Sequence, residues 1–305
     1  MRRRSFFLRQ GIAAFCLSGL LLAGMPAASA QTAEEWSQQV TAAETVEKYD
    51  EALALCGQGL AENPKAAGLL AQRAWVYMEL DRPEEAAKDL TAALAADAQC
   101  AAAWANEGVR LSCLGQMKPA AEHLARAREL APQDAGILMQ QAYYISFGSG
   151  DFTRALAEAD EAIRLAAGTP EELRMLYERL EIEAYGSRYT DRYQERILRE
   201  AEAVLVGGKL SPAKQRQVHS WRWRQYMLKG QYLAALQDAR QMKDLSAGAK
   251  EKAESLSAMG ASLDQLGGRE REVLKVYREA WALYPDAGVV EIPRRYRVKM
   301  GGAEQ

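Results

Sequence analysis

Histidine, asparagine and cysteine are scarce in this 305-residue chain, and each scarcity closes off a class of chemistry. The two histidines, His123 and His219, lie far apart, and no cluster has metal-ligand spacing, so no zinc site is expected. Four cysteines, Cys16, Cys56, Cys100 and Cys113, do not make a disulfide framework. Cys100 and Cys113 flank one expected helix, about 20 Å apart at 1.5 Å per residue, beyond disulfide reach. Cys56, Cys100 and Cys113 therefore read as packing residues or free thiols. There is no glycine-rich phosphate loop and no Gly-x-Ser-x-Gly elbow. Without a positioned catalytic set the chain is not expected to be an enzyme, and no cofactor is implied.

Acid is absent from one window. Between Glu202 and Asp238 there is neither Asp nor Glu, yet Lys209, Lys214, Arg216, Arg222, Arg224 and Lys229 fall there. The whole chain has a formal charge of −2. The window contains "VHSWRWRQYMLKG" (residues 218–230), which reads either as a surface for an anionic group or as a buried aromatic helix that carries arginines.

What is abundant favours helix. Ala, Leu, Glu, Arg and Gln dominate and β-branched residues are sparse. Hydrophobic residues make up 49% and charged residues 26%, the balance of a folded soluble protein. The length allows two compact domains or one elongated solenoid.

The first thirty residues read as a leader rather than part of the fold. "MRRRSFFLRQ" is a basic head, "GIAAFCLSGLLLAG" a short, interrupted apolar stretch, and "MPAASA" ends in Ala28-Ser29-Ala30. That pattern predicts a secretory signal peptide cleaved before Gln31, and a periplasmic or secreted mature protein. The arginines before "SFFL" also fit a twin-arginine signal, but nothing downstream calls for export in the folded state, so the Sec route is expected. Cleavage removes four arginines and no acid, taking the formal charge from −2 to −6. An acidic exported protein of this kind is not expected to bind nucleic acid, or to stay inserted in a membrane once cleaved.

A repeat organises the chain beyond the leader. "YDEALALCGQGLAENP" ends at Pro64, "PEEAAKDLTAALAADA" at Ala98 and "KPAAEHLARARELAP" at Pro132, at intervals of 34 residues. "FTRALAEADEAIRLAA" ends at Ala167, one residue late, where "FGSGD" occupies the turn. Small residues recur in register. Val40, Ala74, Gly108 and Ala142 hold the eighth position, Ala52, Ala86, Ala120 and Ala155 the twentieth, and Gly59, Ala93, Ala127 and Ala162 the twenty-seventh. Two antiparallel helices can approach closely at such points.

With Trp36 and Trp104 at the fourth position, Gly108 at the eighth, Tyr77 at the eleventh and Pro64 and Pro132 near the end, residues 33 to 168 resemble the tetratricopeptide repeat family. The resemblance implies an all-α helix-turn-helix solenoid wound as a right-handed superhelix, with partners held in a concave groove. The expected organisation is a leader (1–30), four repeats (31–168), degenerate helical repeats (169–288), and a basic tail or partial cap (289–305).

The register assigns a face to each residue. At about 100° per residue, positions 4, 7, 8 and 11 of the first helix share one face, and positions 2, 5, 6, 9, 12 and 13 share the opposite one. The resemblance makes the second face the groove. Its sixth position holds Gln38, Gln72, Asn106 and Gln140, all amides in a chain with only two asparagines. They read as a ladder for the backbone of an extended peptide, or simply as helix formers tolerated on a solvated face. Trp75 and Tyr143 occupy the ninth position. In the later unit Trp223 and Tyr226 fall on the packing face, while Trp221 (sixth) and Arg224 (ninth) fall on the groove face. Trp221 reads either as a ligand-stacking residue or as a Trp held at an edge by neighbouring helices. The expected function is an exported scaffold that binds a protein or peptide partner. The alternative is an envelope structural or glycan-binding solenoid with Trp221 stacked on sugar.

Overall fold

The computed structural model describes residues 31–300 apart from 46, 170, 188–192, 208–209 and 268–269. The expected leader and its cleavage site before Gln31 lie outside the described residues, except for Gln31 itself. Regular structure among the described residues is helical throughout.

The chain divides into two compact units, one running to Tyr144 and the other starting at Ile145. The first holds α1 (Ala33–Thr45), α2 (Tyr49–Glu62), α3 (Ala67–Glu79), α4 (Pro83–Ala96), α5 (Ala101–Cys113), α6 (Met117–Leu130) and α7 (Ala135–Tyr144). The second opens with a π-helical turn (Ile145–Ser149). It continues with α8 (Phe152–Ala166), α9 (Glu172–Gly186), α10 (Gln194–Val206), α11 (Pro212–Leu228) and α12 (Tyr232–Asp244). Then come α13 (Ala249–Gln265), α14 (Glu270–Leu283) and α15 (Arg294–Lys299). Within each unit helices pack against their neighbours in sequence, as hairpins α1–α2, α3–α4 and α5–α6 in the first and α11–α12 and α13–α14 in the second. This is a helix-turn-helix repeat solenoid, in which each hairpin buries its apolar stripe only against the next.

The in-register small residues explain the close hairpins. Val40, Ala52, Ala74, Ala86, Ala93, Ala120, Ala127, Ala142, Ala155 and Ala162 are each 0% exposed. A Cβ at Gly59 would stand 2.8 Å from Trp36 Cγ, and one at Gly108 would stand 2.7 Å from Leu124 Cγ. No real Cβ sits so close to a neighbour, so glycine sets the approach of the paired helices there.

Turn chemistry repeats as well. Just past the ends of α1, α3, α5, α11 and α13 the chain takes positive φ, at Glu47 (58°), Asp81 (58°), Gly115 (75°), Gly230 (70°) and Gly267 (71°) respectively. This left-handed residue ends the first helix of a hairpin and points the chain into the second. In the fourth repeat the residue is Gly150 (72°), one place late. The extra residue is taken up by the π-helical turn at Ile145–Ser149, the usual way a helix absorbs one insertion.

Side chains cap the starts of α1 and α11. Thr32 and Glu35 form a reciprocal capping box for α1: Glu35 N–H donates to Thr32 Oγ1 at 3.2 Å and Thr32 N–H to Glu35 Oε2 at 2.8 Å. Ser211 accepts from Lys214 N–H at 3.3 Å ahead of Pro212, the first residue of α11. At the other end, Val290, Ile292 and Tyr296 are buried against Val273, Tyr277 and Ala280 of α14. Tyr296 donates its hydroxyl to Asp264 at 2.6 Å, and Arg295 pairs with the same carboxylate. The basic segment before Met300 thus packs as a lid on the last hairpin.

Candidate functional site

From α3 onward the sixth-position amides turn towards the preceding first helix. In the first unit Gln72 Nε2 donates to Thr41 Oγ1 at 3.1 Å and to Ser37 O at 3.4 Å, both on α1. Asn106 Nδ2 donates to Ala71 O on α3 at 2.9 Å, and Gln140 Nε2 donates to Asn106 Oδ1 on α5 at 2.9 Å. Each amide reaches back to the preceding first helix. Asn106 is only 6% exposed. Gln38, on the first described helix, is exposed and donates to Glu34 Oε1 at 3.4 Å. The ladder expected to meet a ligand backbone therefore spends its N–H groups between helices. The reason is geometric: a first helix in a stack has its own partner on one side and the preceding first helix on another, and only a third side is open.

Trp221 obeys the same rule. It is 9% exposed and packs on Tyr177 of α9 with ring centroids 5.4 Å apart. Of the two readings of Trp221, the burial fits the ring held by neighbouring helices. Trp223 faces α13 and donates Nε1–H to Ser262 Oγ at 3.0 Å. Arg224 is exposed.

Within the acid-free window, Arg216, Arg222 and Lys229 meet acids on neighbouring helices, and Lys209 lies outside the described residues. Arg222 forks onto Asp238 of α12 at 2.6 to 3.1 Å, and His219 Nδ1 lies 2.8 Å from the same carboxylate, which is 1% exposed. Arg216 reaches Glu254 of α13 at 2.7 Å and Glu251 O at 3.1 Å. Lys229 meets Glu195 at 3.1 Å, and Lys214 Nζ sits 5.1 Å from the Tyr177 ring. These bases tie helices together and do not form a basic surface. The first unit has the same brace: Arg73 forks onto Asp89 at 2.6 and 2.7 Å. In both braces arginine and aspartate are sixteen residues apart, at the seventh and twenty-third repeat positions. That spacing is readable in the sequence but was not among the expected features.

What remains open on the first unit is the ninth position. Thr41, Trp75, Val109 and Tyr143 follow the amides by three residues, one turn along on the same side. All four are half-buried. Because the amide links register α1, α3, α5 and α7, these residues form a line across the helices. Val109 joins Trp75 and Tyr143 from the same register, though it is not a residue type that draws notice.

The charge around this line is one-sided. The arginines of α3 and α5 are committed, Arg73 to Asp89 and Arg110 to Glu107 at 2.6 Å, and α7 carries no charge. Glu34, Glu44 and Glu79 stand on α1 and α3. Tyr49 donates to Glu79 at 3.3 Å, and its phenol is pushed well up, first by burial and then by Glu79, Glu47 and Glu44. The glutamates thus lie on α1 and α3, while α7 at the other end carries Tyr143 and no charge.

Among the described residues no group of three or more His, Cys, Asp or Glu is placed to hold a metal ion, and no helix is long and apolar enough to cross a membrane.

The class the fold defines is a helical-repeat solenoid. Residues 46–106 match the tetratricopeptide repeat family. No curated protein matches the chain. Among solved structures, the chain is similar to PilW, a widely conserved type IV pilus biogenesis factor, at a TM-score of 0.59 and 16% identity, covering 74% of this chain and 96% of that one. It is also similar to the Cut9-Hcn1 hetero-tetramer of the APC/C, at a TM-score of 0.63 and 12% identity, covering 88% of this chain and 49% of that one. At these identities the likeness is one of fold.

Proposed function

We propose that the protein is a scaffold without chemistry of its own that binds a protein or extended peptide partner across the first helices of its first unit. The observation that carries this reading is the line Thr41, Trp75, Val109 and Tyr143, held in register by the amide links and only half-buried. Gln38 lies beside it at the exposed end. Gln72, Asn106 and Gln140 shape the face from beneath, and Gln72 Oε1 and Gln140 Oε1 stay without a hydrogen-bond partner. The glutamates at the α1–α3 end favour a partner that brings a base there and apolar side chains towards Tyr143. Arg224, exposed on α11, is a second contact in this reading, for an acidic group. The glycan-binding alternative loses its stacking platform, because Trp221 is 9% exposed.

The same reading places the chain in the bacterial envelope, exported by the Sec route and cleaved before Gln31. Its support is the basic head, apolar stretch and Ala-x-Ala end of residues 1–30. PilW, a pilus biogenesis factor, is compatible with that location.

A photo-crosslinking residue placed at Val109 in the full chain, expressed in its source cells, tests the binding face. The expected result is a discrete adduct that is lost on Trp75→Ala with Tyr143→Ala and absent with the probe at Arg126. Adducts from Arg126 and none from Val109 would move the site off this face. Mass spectrometry of the recovered chain reads its first residue: Gln31 supports export, and an intact Met1 end overturns it.

A further inference from the structure

Three helices of the second unit bring five ionisable side chains into one knot. Arg179 of α9 contacts Asp160 of α8 at 2.5 Å, Glu183 of its own helix at 3.3 Å, and Glu200 of α10. Arg196 of α10 contacts Glu183 and also lies 3.3 Å from Glu200. Three carboxyl groups thus share two guanidinium groups. The other charged groups nearby offset this only in part. Arg199 of α10 is exposed and lowers Glu200 through space without outweighing its burial, while on α11, which packs on α10, Arg216 is committed to Glu254, Arg222 to Asp238 and Lys214 lies over the Tyr177 ring.

Burial makes the excess acid costly. The Glu183 side chain is 0% exposed and that of Glu200 25%, whereas Asp160 is 55% exposed and eased by water. Neither oxygen of Glu183 meets a donor at hydrogen-bonding geometry, although both guanidinium groups are close. The other buried acids are treated differently. Asp89 has Arg73 to itself, and Asp238 has both Arg222 and His219. Only at Glu183 do buried carboxyls outnumber their bases among these sites.

We propose that Glu183 and Glu200 form a proton-operated joint. One proton shared by the pair holds α9 to α10, so the junction is tight in mild acid and loosens as the solution becomes neutral. An open cleft lined by Asp160 and Arg196, two members of the knot, gives water a route for the exchange. The proton's place fits the local chemistry. Burial first, then Glu200 and Asp160, raise the Glu183 carboxyl to about 8 against the pull of Arg179, and burial also raises Glu200. The sign follows from linkage. A carboxyl raised in the closed form holds its proton where the open form, at about 4.3, has released it, so each rise in pH favours opening until about 8, where the effect levels off.

The test uses the full chain with glutamate side-chain carboxyls labelled with carbon-13. One carboxyl should titrate with a midpoint near 8 and vanish in Glu183→Gln. Amide exchange across α9 and α10, corrected for its intrinsic pH dependence, should give an opening constant that rises about tenfold per pH unit from pH 6 to pH 8. It should be flat in Glu183→Gln. If that variant does not fold, Glu200→Gln should move the same titration to lower pH, since burial and Asp160 alone then raise Glu183, and an unmoved midpoint overturns the pair. Ionisation of every glutamate below pH 6 overturns the shared proton. A midpoint near 8 with a flat opening constant overturns the joint.

Discussion

Gln140 Nε2 donates to Asn106 Oδ1 at 2.9 Å, and Asn106 Nδ2 passes the chain on to Ala71 O at 2.9 Å. Two side chains thereby connect three successive first helices. Asn106 is the buried link, so Asn106→Ala should cost about 1 to 3 kcal/mol, the usual penalty for stranding buried partners. Urea unfolding of the first unit measures it. Crosslinking from Val109 should survive in the absence of urea, because the amide lies under the face rather than on it. A loss of crosslinking with no loss of stability would return the ladder to the ligand.

The Arg222–Asp238 brace should behave asymmetrically. Asp238 is 1% exposed and serves both Arg222 and His219. Asp238→Ala leaves a guanidinium half-buried without its partner and should cost about 3 to 5 kcal/mol, while replacing Arg222 and Asp238 together by leucines should recover most of it. The readout is the denaturant midpoint of the second unit. Equal losses from the single and double changes would show that packing, not charge, holds α11 to α12.

The repeat was legible because its strongest constraint is steric. Small residues every 34 places are needed wherever two helices touch, and Ala74, Ala86, Ala120 and Ala142 are indeed fully buried. The late fourth repeat was legible as a one-residue delay, though not as a π-helical turn. The face was harder to read. A helical wheel separates two sides of α3 and α5, but the stack covers a third, and Gln72, Asn106 and Trp221 went to that one. The basic window misled for a related reason. Arg222 and Arg216 are neutralised by Asp238 and Glu254, which lie outside it in sequence and beside it in space.

Glycine to alanine normally strengthens a helix by about 1 kcal/mol, but Gly260 should reverse that sign. An added Cβ would stand 2.8 Å from Cε1 and Cζ of Tyr277, whose side chain is 0% exposed and has no room to move. Gly260→Ala should therefore destabilise the last hairpin by about 1 to 3 kcal/mol. Gly57, with nothing within 4 Å of an added Cβ, is the control and should gain stability on the same change. Calorimetry of the two variants decides, and a stabilised Gly260→Ala would show that α13 and α14 are less tightly packed than their geometry.

The cysteines should separate by accessibility when the native chain is titrated with a thiol reagent at pH 8. Cys113 is exposed, Cys100 half-buried and Cys56 fully buried, and all three are free. Reaction needs the thiolate, and burial, reinforced by Glu44, pushes the Cys56 thiol up to about 12. At pH 8 almost none of Cys56 is ionised, so it should react only when α2 opens, at a rate that follows denaturant. Cys100 is also raised, first by burial, and should be intermediate. Cys113→Ser should remove the fast phase alone. If Cys56 reacted as quickly as Cys113 without denaturant, the first hairpins would have to open far more freely than their packing around Val40, Ala52 and Ala74 allows.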